Sequence, residues 1–155
     1  MTQLLQFGLP FLGVLVGGWL ASRFSAIRAH DEKVWIRKAD AYGRILEALS
    51  DIRDWYAVYL EDIYKGREAT ADQETERQQM FREAQRSLAS TISREVWLLP
   101  DSVKQIIERL NQEFDVKHDT WHDHTDFCSH VANVARSEIE HIAKSELDRP
   151  SFLRW

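Results

Sequence analysis

The chain has 155 residues, with 20 basic and 25 acidic side chains, a net charge of −5 and one cysteine, Cys128. That length makes one domain the default, the acidic balance argues against general nucleic-acid binding, and a lone cysteine excludes an internal disulfide and fits a reducing compartment. No P-loop, no Gly-rich nucleotide loop after a strand and no G-x-S-x-G elbow is present, which removes the commonest nucleotide and hydrolase sites.

The charge is unevenly spread. Met1 to Ser22 contains no charged side chain, and every Asp, Glu, Lys and Arg follows it. The run LLQFGLPFLGVLVGGWLAS from Leu4 matches the roughly 20 residues that span a bilayer core. A signal peptide would need a basic region before the apolar stretch, and here the basic residues come after it. A buried core helix would show a polar stripe, and only Gln3 and Gln6 offer one. Residues 1–22 are therefore expected to form a transmembrane helix. Arg23, Arg28, Lys33, Arg37 and Lys38 outnumber Asp31 and Glu32 on its C-terminal side, which places that side in the cytoplasm and the N-terminus outside. The same basic residues suit anionic lipid headgroups.

Residues 23–149 are expected to form a cytoplasmic helical domain, with 150–155 as a tail. Tyr42, Ile45, Leu46, Leu49, Ile52, Tyr56, Tyr59, Leu60 and Ile63 recur at spacings of three and four, the mark of one apolar helix face continuing from the span. Gly66 is a stop signal, and Thr70 followed by Gln73 has the form of a capping box. The next helix is expected to bury Phe81, Ala84, Leu88, Ile92, Val96 and Leu99 and to end at Pro100. Ser102 with Gln105 predicts a second capping box, opening a short helix that buries Val103, Ile106, Ile107, Leu110 and Phe114. The last helix is predicted from about Thr120 to Leu147, with Trp121, Phe127, Val131, Val134, Ala135, Ile139 and Ile142 inward and Cys128 in the core. No run alternates as a strand would. The fold class is all-α: one N-terminal transmembrane helix continuing into a cytoplasmic domain resembling a four-helix bundle.

Three features carry candidate function. Gly13 and Gly17 form a GxxxG pair, with Gly8 and Gly18 beside them in the sequence; small residues four apart let two helices approach closely in lipid and predict a homo-oligomer. Glycine is also simply common in membrane helices. His118, His122, His124 and His130 are interleaved with Asp119, Asp123 and Asp126. On a helix, His118, His122 and Asp126 would stack at i, i+4 and i+8 and offer a transition-metal site, the one cofactor the sequence suggests; otherwise they make a solvated helix start. Histidines beside aspartates also titrate near physiological pH and suit a sensor of acidification.

The third feature is Arg136 with His141, which fits the R-x4-6-H pattern of HEPN ribonucleases. In that pattern the histidine does acid–base work and the arginine stabilises phosphate charge in a site shared by two subunits. Ser137 is not the polar residue typical after that arginine, Arg23 with His30 fits the pattern too, and the plain alternative is a solvent-facing pair.

In plan, with a leading span, a basic stretch (RAHDEKVWIRKADAYGRIL), a helical domain and the late Arg136/His141 pair, the chain resembles the small membrane accessory protein of type VI-B CRISPR systems. That resemblance implies a bacterial inner-membrane location, a HEPN-like domain, assembly into a pore that dissipates the potential, and a role in antiviral defence. The leading expectation is thus an oligomeric single-pass membrane protein acting on membrane integrity. The alternatives are a membrane-tethered HEPN-type ribonuclease and a passive anchor or adaptor for a cytoplasmic protein partner.

Overall fold

A computed structural model describes the backbone of residues 3–148 and the side chains of Arg23, Ser25 and residues 27–148. Among the described residues there are four helices and no strand: α1 (Gln3–Lys65), α2 (Ala71–Glu95), α3 (Asp101–Phe114) and α4 (Trp121–Leu147). No helix among the described residues is long and apolar enough to cross a membrane. The side chains of the charge-free run 1–22 lie outside the described residues, and with them Gly8, Gly13, Gly17 and Gly18; so does the tail from Arg149.

Two compact units are distinguished, with a boundary in α1 between Ile36 and Arg37. In the first, Ile27 and Ile36 are about half exposed, in a stretch where Arg23, Arg28 and Lys33 are exposed as well. The second, Arg37–Asp148, holds the core. There α1 buries Tyr42, Ile45, Leu49, Ile52 and Tyr56 at the expected spacing, and α3 buries Val103, Ile106, Ile107 and Leu110. Around α1 pack α2 through Phe81, whose ring lies 4.5 Å from that of Trp55, and α3 through Phe114, 5.9 Å from Tyr56.

The α1–α2 turn follows its sequence signals. Gly66 sits at φ +60, its N–H donates to Ile63 O (3.1 Å), and the Arg67 N–H donates to Asp62 O (2.9 Å), the two bonds of a Schellman motif. Thr70 then closes a capping box: Gln73 N–H donates to Thr70 Oγ1 and Thr70 N–H to Gln73 Oε1. Two glycines give opposite predictions. Nothing crowds a Cβ at either Gly43 or Gly66, but only Gly66 has positive φ. Gly66→Ala is expected to lower the domain's stability by about 1 kcal/mol, whereas Gly43→Ala, in an exposed helix interior, raises it by about 0.5–1 kcal/mol. Thermal unfolding followed by circular dichroism measures both.

Three expectations are corrected. First, α2 ends at Glu95, so Val96 is exposed, while the chain turns through an i→i+3 bond from Leu98 N–H to Glu95 O and brings Leu98 and Leu99 inward. Second, Ser102 is not a cap. Pro100 disfavours helix at the residue before it, α3 starts directly after it, and Pro100 stands at the N-cap with no side-chain bond. Third, the buried face of α4 is built from small residues. Thr125, Ala132 and Ala143 join the expected Cys128, Val131, Ala135 and Ile139 inside, while Trp121 and Val134 are exposed and Phe127 and Ile142 half-buried. Small side chains let helices pack closely, which favours them over an aromatic at the centre of the seam.

One charge is buried without a signal in the sequence. Glu95 is only 6% exposed; both its oxygens accept from Arg37, Nε at 2.9 Å and an NH2 nitrogen at 3.3 Å, and that guanidinium lies 5.2 Å from the centroid of Trp97. The ion pair satisfies a carboxylate that would otherwise be costly to bury, and the cation–π contact gives the guanidinium a second partner.

Candidate functional site

Arg136 and His141 are five residues apart on α4, which at 3.6 residues per turn separates their directions by about 140°. Arg136 is half-buried: its Nε donates to Ser50 Oγ on α1 (2.9 Å), and Ser50 in turn donates to Leu46 O (2.9 Å). Its NH1 also meets Glu140 at 3.5 Å, and Glu140 accepts from Lys144 at 2.7 Å. The Lys144 hydrogen bond, then its charge, with Arg136 adding, hold the Glu140 carboxyl below the usual range. His141 is exposed. The arginine is thus a strut between α4 and α1, and its donors meet a hydroxyl and a carboxylate rather than open space. Arg136→Ala is expected to cost about 1 kcal/mol, a figure already reduced for solvent screening, and His141→Ala close to nothing. Paired chemical-denaturation curves of the two variants check this; equal effects would contradict it.

The histidine cluster takes a form other than the expected stack. Helix α4 begins at Trp121, with Thr120 as N-cap accepting from Asp123 N–H (3.1 Å), so His118 stays in the α3–α4 loop. Its ring packs on Phe127 (4.7 Å) and near His124 (5.5 Å), while His122 meets the edge of Tyr64 (5.3 Å) and Asp126 is exposed. The i, i+4, i+8 ladder of His118, His122 and Asp126 therefore does not form, and among the described residues no three His, Cys, Asp or Glu side chains group as a metal site. Cys128 is a core cysteine as expected: it is fully buried, its Sγ lies 3.6 Å from His124 Nε2, and burial pushes the thiol up. A thiol held protonated in this way is a poor nucleophile.

One concave feature of the helical domain has no counterpart among the expected sites. Between α1 and α2 runs a groove of about 510 Å³. Its floor is apolar, formed by Ala48, Trp55 and Ala84, with Val58 (41% exposed) and Met80 (60% exposed) at the surface. Trp55 is held by its neighbours, with ring centroids 4.5 Å from Phe81, 4.8 Å from Tyr56 and 5.5 Å from Tyr59.

Carboxylates line the edges of this groove. Glu47, Asp51 and Asp54 come from α1 at i, i+4 and i+7, one helix face, and Glu83 comes from α2. Asp54 is paired with Arg53 (2.6 Å), and Arg77, the one cation lining the groove among the described residues, is paired with Asp62 (2.8 Å). Among the described residues Glu47 and Asp51 have no ion pair. Partial burial, then Glu47 and Asp54, push the Asp51 carboxyl up. The sequence signal for this site was the acidic i, i+4, i+7 row beside Trp55; what could not be read was which helix lies against that row.

No protein-family model, no curated protein and no solved structure matches the chain.

Proposed function

We propose that this chain is a single-pass membrane protein, held in the bilayer by Leu4–Ser22, that self-associates through the Gly13/Gly17 face and acts as an oligomer on the membrane, with its helical domain in the cytoplasm. The observation that carries this reading is the distribution of charge: none in the first 22 residues and a basic cluster directly after them. Crossing without a charged group avoids the several kcal/mol that each would cost at the bilayer centre. The half-exposed Ile27 and Ile36 among exposed basic residues suit the zone where apolar surface meets anionic headgroups. The mass of the full-length protein in mild detergent, by light scattering with the detergent subtracted, tests the assembly. A defined oligomer is expected, reduced to monomer by Gly13→Leu with Gly17→Leu; a monomeric wild type would overturn self-association. Loss of membrane potential on expression, followed with a potential-sensitive dye, tests the action on the membrane.

A second reading, a membrane-tethered adaptor, is favoured by the open α1–α2 groove. The ribonuclease alternative draws less support, because the Arg136 guanidinium is engaged by Ser50 and Glu140.

A further inference from the structure

We infer that the groove between α1 and α2 is a docking site for a basic amphipathic helix supplied by another protein. The inference gives the adaptor reading a partner chemistry and is independent of how the chain meets the membrane.

Length is the first argument. The α1 wall runs from Glu47 to Val58 and the α2 wall from Arg77 to Ser87. At 1.5 Å per residue these walls are about 17 and 15 Å long, or three helical turns. A small solute would occupy only part of such a trough, while a helix laid along it presents an apolar residue to the floor at every turn. The floor suits that approach: Ala48 and Ala84 are small and buried, so a third helix can come close, and Trp55, Val58 and Met80 supply contact area around them.

Charge complementarity chooses the occupant. Glu47 and Asp51 on one wall and Glu83 on the other flank the apolar strip. Like charges four apart weaken a helix, so the Glu47–Asp51 pair costs α1 stability until a cation answers it. A helix with a narrow apolar face and Lys or Arg on both sides of it meets both walls at once. An anionic lipid headgroup would be repelled by the same carboxylates. A second copy of this chain is a poor source of the helix, because its basic stretch is partly committed: Arg37 to Glu95 and Trp97, and Lys38 to Glu146.

The test uses the full-length protein in mild detergent and a synthetic Leu/Lys amphipathic helix of about 18 residues, five turns, carrying one benzoylphenylalanine on its apolar face. After irradiation, cross-links are expected on residues 47–58 and 77–87, with Met80 the main acceptor. Glu47→Lys with Asp51→Lys should cut the yield about tenfold or more, while Glu108→Lys, an exposed charge on α3, leaves it unchanged. Met80→Asp keeps both wall charges and should also reduce the yield, which separates the apolar contact from simple ionic attraction. Cross-links scattered over other faces, or equal loss in the Glu108 variant, would overturn the proposal. Full displacement of the groove cross-links by spermine, but not by sodium chloride of equal ionic strength, would also overturn it, by assigning the groove to a small polycation. Sedimentation of the chain with membranes is a separate readout, so failure of docking and failure of the membrane reading are distinguishable.

Discussion

Leu49→Ala is expected to destabilise the helical domain by about 3 kcal/mol, a large share of the roughly 5–15 kcal/mol that holds a domain of this size. Leu49 is fully buried on α1, on the same stripe as Ile45 and Ile52, in a core to which α2, α3 and α4 all contribute. Truncation removes the transfer free energy of three carbons and leaves a cavity that helices on several sides cannot easily collapse to fill. Val58→Ala, on the same helix but 41% exposed, is expected to cost less than about 1 kcal/mol. Guanidinium unfolding of both variants, read by circular dichroism, checks the contrast. Similar midpoints would mean that α1 is not the central element of the domain.

The second large effect lies in the charge-free run. Val14→Arg puts a guanidinium near the middle of Leu4–Ser22, which on translocon-insertion scales costs about 3 kcal/mol, on the order of a hundredfold in the ratio of inserted to non-inserted chain. Val14→Leu should leave insertion unchanged. A glycosylation-site reporter fused before Met1 measures the inserted fraction of each. If arginine has no effect on it, the run does not cross the bilayer.

Much of the fold could be read from the residues because local physics decided it. The three–four spacing of Ile45, Leu49, Ile52 and Tyr56 placed the buried face of α1, and Gly66, Thr70 and Gln73 marked a turn whose hydrogen bonds are those their side chains and φ preferences favour. The errors fall where tertiary packing overruled local preference. On α4, hydrophobicity pointed to Trp121 and Val134 beside the correctly placed Cys128 and Ala135, but close helix approach selected Thr125, Ala132 and Ala143. The burial of Glu95 depends on Arg37, 58 residues earlier, which no local pattern reveals. The histidine ladder required helix as far back as His118, whereas α4 starts at Trp121, beside the expected start at about Thr120, and leaves His118 in the loop. The groove was hidden for a related reason: Glu47, Asp51 and Asp54 are visible as an acidic row, but their alignment with Met80 and Ala84 exists only once α2 folds back along α1.

The membrane assignment is the claim on which the proposed function turns, and extraction tests it most directly. Membranes from cells expressing the full-length protein are washed with alkaline carbonate, which strips peripheral proteins and leaves spanning ones in the sheets. The protein is expected to stay in the pellet and to be released only by detergent. Its complete recovery in the carbonate supernatant would contradict a transmembrane Leu4–Ser22 and leave the helical domain, with its acidic groove, as the part of the account still standing.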